Sequence, residues 1–288
     1  MIAAAHQSTQ QTLALMSDDT SLILDPVHGG AVREFRWCGY DIFRPTPSAA
    51  REPLQYACFP MVPYANRVAG GNFAFGGQLV QLSTNWTGDR HPIHGEGWRA
   101  QWVVVQATPS SATLAFEGGG DEWPWTYRAE QHFDLRNDGL SMRLSVTNHS
   151  QQAMPAMLGF HPYFPEARSA QISARLPNVW EIEDGWPVTQ VETPKEWRFD
   201  PPRSVNTAPF DHSFSGWDGS AEIVWPHRRL RFKASHCPSL QIYVPASEDF
   251  FCVEPQTAPW GAINRGEADI VQPGKSLTMI VDFTMGAI

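Results

Sequence analysis

Apolar and polar positions alternate with a period of two along much of the chain. In 139–148, GLSMRLSVTN, Leu140, Met142, Leu144 and Val146 fall on one side and Ser141, Arg143, Ser145 and Thr147 on the other. That is the pattern of a half-buried strand. The segment beginning at Ser276 repeats it, with Leu277, Met279, Val281 and Phe283 on one face. Shorter apolar runs at 21–24, 102–105, 112–116, 222–225, 229–233, 240–244 and 250–253 predict further strands. Turn chemistry separates many of them: HGG at 28–30, AGG at 69–71, FGG at 75–77, EGGGDE at 117–122, RNDG at 136–139 and VQPGK at 271–275. No window sustains a 3.6-residue period, and no internal repeat or dividing linker stands out. The pattern predicts an all-β protein, a single large antiparallel β-sandwich spanning 1–288. The tract around Pro194, Pro201, Pro202 and Pro209 is expected to be a long surface connection within it.

Composition narrows the class. The 288 residues carry 21 basic and 30 acidic side chains, a formal net charge of −9. That balance argues against nucleic acid, which is bound through a basic stripe that replaces counterions. No apolar run approaches the ~18 residues of a membrane span. The opening residues lack the basic start and apolar run of a secretory signal. Cys38, Cys58, Cys237 and Cys252 include no CxxC pair, so they read as reduced, buried thiols of a cytoplasmic protein. Twelve tryptophans are an excess. Most belong in a core, but as a group they favour a carbohydrate ligand, whose C–H faces stack on flat rings.

Four stretches concentrate polar residues that are awkward for a purely structural role. These are PMVPYANRVAGGNF at 60–73, HPIHGEGWRAQW at 91–102, GFHPYF at 159–164 and FFCVEPQTAPW at 250–260. Glu254 follows an apolar strand-like run, and a carboxyl group there is desolvated enough to be raised toward a useful base. His161, enclosed by aromatic residues and a proline, is a candidate partner. Read singly, Arg67 fits a surface charge, His161 a satisfied core histidine and Glu254 a strand-end residue.

Taken in order, Asn66-Arg67 before a glycine pair, His94-Gly95, Gly159-Phe160-His161-x-Tyr163-Phe164, Asp211-His212-x-Phe214, Gln241-x-Tyr243 and Glu254-x-Gln256 resemble the aldose 1-epimerase (galactose mutarotase) family. The resemblance runs from about residue 20 to the C-terminus, which leaves about 1–19 as a flexible N-terminal extension. It implies the galactose mutarotase-like supersandwich and a cofactor-free isomerase that interconverts the α and β anomers of a free aldose. The substrate would be a hexose such as galactose or glucose, or a 6-phosphorylated or 6-sulfonated relative. By the same resemblance Glu254 removes the proton of the anomeric hydroxyl and His161 protonates the ring oxygen. Asn66, Arg67, His94, Tyr163, Asp211 and Gln241 would bind the sugar. Mildly acidic water starts a carboxylate and an imidazole on the correct sides for base and acid; at neutral pH His161 would need a nearby carboxylate to stay protonated. No metal is implied, and the expected state is a monomer or weak homodimer with a small-molecule sugar as its partner.

Pro162 departs from the small polar residue that many members carry after the histidine, which bears on the sugar rather than the reaction. Arg90, Arg99 or Lys195 could serve an anionic substituent. Three rival readings remain. A metal hydrolase could use His91, His94, His161 and Glu254, although no H-E-x-x-H signature is present. A glycoside hydrolase could pair Glu254 with Asp211. A non-catalytic carbohydrate-binding or regulatory protein could keep the fold, but would usually lose His161 or Glu254.

Overall fold

In the computed structural model, residues 12–205 and 208–288 are described. Two antiparallel sheets dominate. The nine-stranded sheet runs, edge to edge, Phe199–Ser204, Gln171–Ala174, Ser220–Trp225, Arg228–Ser235, Ser276–Ala287, Gly139–Asn148, Tyr127–Arg136, Ser111–Gly118 and Val103–Ala107. The alternating segment at 139–148 therefore forms a strand with the bounds that its pattern predicts. It lies between Tyr127–Arg136 and Ser276–Ala287, with Leu140 opposite both Leu135 and Phe283.

The second sheet runs Trp186–Glu192, Asn178–Glu183, Phe210–Ser215, Ser239–Val244, Phe250–Gln256, Gly159–Phe160 and Pro60–Met61, with Tyr163–Pro165 also paired to Phe250–Gln256. A four-stranded sheet, Leu13–Ser17, Thr20–Asp25, Ala31–Trp37 and Tyr40–Asp41, packs beside them. The fold class is thus all-β and antiparallel. No helix among the described residues is long and apolar enough to cross a membrane.

Phenylalanines join the sheets. Phe283 of the nine-stranded sheet touches Phe232 of the same sheet and Phe43 beside the four-stranded one, at ring distances of 5.5 and 5.4 Å. Phe43 meets Phe35 at 5.1 Å and Phe164 of the second sheet at 5.5 Å, and Phe164 meets Phe251 at 5.5 Å. Most contacts are edge-on or tilted, the arrangement that ring quadrupoles favour.

Three expectations change. The extension expected over about 1–19 is cut short by the strand Leu13–Ser17, which pairs with Thr20–Asp25 and buries Leu15; residues 1–11 lie outside the described residues. The proline tract is not merely a connection. Phe199–Ser204, with Pro201 and Pro202, is the outermost strand of the large sheet, and both prolines fall where its register with Gln171–Ala174 shifts, between the paired Phe199 and Arg203. Cys38 is exposed in a turn, whereas Cys58, Cys237 and Cys252 are buried free thiols.

Phe283→Ala should lower stability by about 3–5 kcal/mol, read as a reduced midpoint in guanidinium unfolding. A loss below ~1 kcal/mol would show that the phenylalanine contacts are not what joins the sheets.

Candidate active site

Strand register puts the polar residues of the second sheet on one face. Ser213, Gln241 and Glu254 stand opposite one another across three strands, and Asp211, Tyr243, Cys252 and Tyr163 form the next row. Directly paired residues share a face, and the intervening positions point the other way. Phe214, Leu240, Ile242, Val253 and Pro255 accordingly lie on the core side. Because Phe250–Gln256 is covered on both faces, its alternation is hidden in burial, and the sequence reads there as an apolar run.

That polar face floors a cavity of about 420 Å³. All eight predicted site residues line it: His161, Glu254, Asn66, Arg67, His94, Tyr163, Asp211 and Gln241. Trp86, Trp98, Tyr243 and Phe250 add aromatic walls, and Asp89 adds a further carboxylate. None of these five was singled out as a site residue from sequence. Tyr243 was within reach of pattern reasoning, two residues from Gln241; Asp89 lies in a loop with no local signal.

His161 Nε2 lies 3.4 Å from Glu254 Oε1, with the residues 7% and 2% exposed. Gln256 Nε2 donates to the other carboxyl oxygen at 3.3 Å. Burial raises the Glu254 carboxyl well above the usual carboxylate range, and the neighbouring Asp211 adds to this. Burial, with the charges of Arg44 and Arg67, lowers His161 to about 3. The free pocket therefore favours an uncharged pair with one proton, carried by the carboxyl. This reverses the resting protonation expected from unperturbed values, in which a carboxylate would keep His161 protonated.

The loops around Asn66 and His94 are built against each other. Both residues have left-handed backbones, φ 60° and 58°. The His94 amide donates to the Asn66 carbonyl at 3.0 Å, and the Asn66 amide donates to His94 Nδ1 at 3.2 Å. Burial first, then the repulsion that a protonated imidazole would meet from a protonated His161 and from Arg67, lowers the His94 pKa well below the usual range. The neutral imidazole that accepts at Nδ1 must carry its hydrogen on Nε2, available as a donor. Gly95 follows with φ 71°, and a Cβ there would lie 2.2 Å from the Val62 carbonyl oxygen.

Arg67 Nε donates to Asp89 Oδ2 at 2.5 Å, while its guanidinium lies 5.5 Å from the Trp260 ring centre. Gln241 Nε2 donates to Asp211 Oδ1 at 2.5 Å, which leaves the amide oxygen of Gln241 without a partner. Asp211 is exposed at the mouth.

The cations proposed for an anionic substituent are elsewhere. Arg99 is paired with Glu122 at 2.6 Å, and neither Arg90 nor Lys195 lines the cavity. Nor does His91 join His94 and His161, since its Nδ1 accepts from the Gly70 amide. Among the described residues, the side chains grouped so that they could hold a metal are instead His161, Cys252 and Glu254, whose donor atoms lie within 4.8 Å of one another.

The pocket thus combines aromatic walls, many hydrogen-bonding groups and one buried carboxyl–imidazole pair. The aldose 1-epimerase family profile matches residues 15–284, and the chain belongs to that family. The uncharacterised protein YphB of Escherichia coli (strain K12) is 32% identical over 237 residues, 77% of this chain and 81% of its own length. The crystal structure of a proposed aldose 1-epimerase from Escherichia coli K12 superimposes with a TM-score of 0.91 at 28% identity, covering 96% of this chain and 99% of that one. A galactose 1-epimerase from Lactobacillus acidophilus NCFM shares the fold, with a TM-score of 0.81 at 16% identity and 99% and 98% coverage.

His161 should remain neutral from pH 8 down to pH 5 in the free protein. Side-chain ¹⁵N shifts followed through that range would show it; a midpoint near the unperturbed ~6.5 would refute the desolvated-pair description.

Proposed function

We propose that the protein is a mutarotase acting on an uncharged free aldose, a hexose of the galactose or glucose type. The observation that carries this reading is the 3.4 Å contact between His161 and Glu254 in the floor of the pocket. Opening a cyclic hemiacetal removes one proton from the anomeric hydroxyl and delivers one to the ring oxygen. A pair that holds one proton can do both without changing its charge.

The proton of Glu254 first passes to His161. The carboxylate then takes the anomeric proton as C1=O forms, the C1–O5 bond breaks, and the imidazolium protonates O5. The pair ends in its starting form. Rotation about C1–C2 presents the other aldehyde face, and the same steps in reverse close the ring. Each proton transfer contributes ~10²–10⁴-fold, enough for a reaction that already proceeds in water, so the residues themselves supply the chemistry.

The remaining residues are assigned to binding. His94 Nε2–H is a donor to the ring oxygen or a hydroxyl. Asn66, Arg67, Asp211 and Gln241 hold hydroxyl groups, and Tyr163 presents its ring. Among the described residues Arg67 is the only arginine or lysine in the lining, and Asp89 already neutralises it. With Asp211 and Glu254 also present, the pocket favours a neutral sugar over a 6-phosphate or 6-sulfonate. The whole chain is proposed to act as one cytoplasmic catalytic unit.

Exchange NMR at anomeric equilibrium tests this on galactose, glucose, glucose 6-phosphate and 6-sulfonated glucose. Enhanced exchange of a neutral hexose is expected, with Glu254→Gln and His161→Ala each slower by at least ~10²-fold and still folded. Arg67→Ala should weaken binding and turnover together. Sugar binding by calorimetry without exchange would replace the enzyme by a carbohydrate-binding protein.

A further inference from the structure

His161 is the third layer of a four-layer stack. The Arg44 guanidinium lies 4.0 Å from the centre of the Tyr163 ring. Tyr163 stacks on His161 at 4.7 Å and 24°, and His161 rests on Phe59 at 4.6 Å and 31°. Arg44 is held firmly there. Its amide donates to the Tyr163 carbonyl at 2.7 Å, and its Nη2 donates to the carbonyls of Leu54 and Tyr56 at 2.8 and 3.3 Å. Its guanidinium also lies 4.4 Å from the Phe250 ring centre. No carboxylate among the described residues forms an ion pair with it, and its Nε is buried without a partner. This is a charge placed behind the pair, not in the cavity, which Arg44 does not line.

We propose that Arg44 is a positioning residue of the reaction: its guanidinium clamps the Tyr163 ring on which His161 stacks, and its charge biases the single proton of the pair away from the imidazole. The proposal rests on the mutarotase reading for its consequence in turnover, but not for its effect on His161. The other groups facing His161 do not supply the same bias. Glu254, with Asp211 beyond it, would draw a proton toward the imidazole as an anion. His94, edge-on at 5.4 Å, is neutral, and Cys58, Cys252 and Tyr163 are held in their uncharged forms by burial. Arg67 is the second cation, but Asp89 compensates it.

The sign follows from the pair's proton count. A second proton, on His161, removes the base; loss of the only proton removes the acid. A nearby cation opposes the first change and assists the second, so it shifts both limbs of a bell-shaped profile to lower pH. At the separation implied by two stacking distances, an unscreened charge moves a neighbouring group by about one pH unit.

The test compares wild type with Arg44→Met, which keeps the stem and loses the charge, and Arg44→Lys, which keeps the charge. The readout is kcat/KM for mutarotation against pH, which reports the free enzyme. In Arg44→Met both limbs should move to higher pH, the acid limb by about one unit, and in Arg44→Lys they should stay near wild type. A folded Arg44→Met enzyme with a lower but unshifted profile would overturn the proposal, leaving Arg44 as packing alone. If the wild type catalyses no mutarotation, the functional reading falls, and the His161 ¹⁵N titration in the free variants decides Arg44 by the same shift or its absence.

Discussion

The site depends on strand register in the second sheet. A slip of one residue between Ser239–Val244 and Phe250–Gln256 would exchange faces, sending Glu254 into the core and Val253 into the pocket. Gln241 would lose its position opposite Glu254. The apolar residues between the polar ones make the register costly to change, because each stands on the side that the core covers. Chemistry and packing are thus specified by the same alternation.

Desolvation follows from that arrangement. His161 and Tyr163 lie beside Glu254 in the floor and the aromatic walls enclose them, so the carboxyl and imidazole are nearly removed from water before any ligand arrives. In water the two groups would separate charge. Here the uncharged pair is favoured, because burial penalises the charged form of each group. Among the described residues, the amide oxygens of Gln241 and Gln256 and the Nδ1 of His161 are likewise buried without a hydrogen-bond partner.

Much of this was legible before the fold. The alternation at 139–148 marked a strand with its observed ends, and the eight residues taken from the family resemblance all line one cavity. What was hidden had a physical reason. Asp89 and Arg44 contact partners 22 and 119 positions away, Arg67 and Tyr163, and nothing in their own neighbourhoods marks such contacts. Phe250–Gln256 concealed its two faces because both are buried. Pro201 and Pro202 obscured a strand that an edge position tolerates, and the resting protonation of the pair depends on burial that no local pattern encodes.

The phenylalanine ladder has a consequence for motion. Phe251 belongs to the strand that carries Glu254, Phe164 sits three residues after His161, and both rings connect through Phe43 to Phe283 in the other large sheet. Opening the backbone beneath the acid–base pair would break the link between the sheets. Hydrogen exchange at the amides around Glu254 would then require global unfolding rather than a local fluctuation. The floor of the pocket is thereby tied to the contacts that hold the two large sheets together, whereas Arg67 and Asp89 stand on loops outside that ladder.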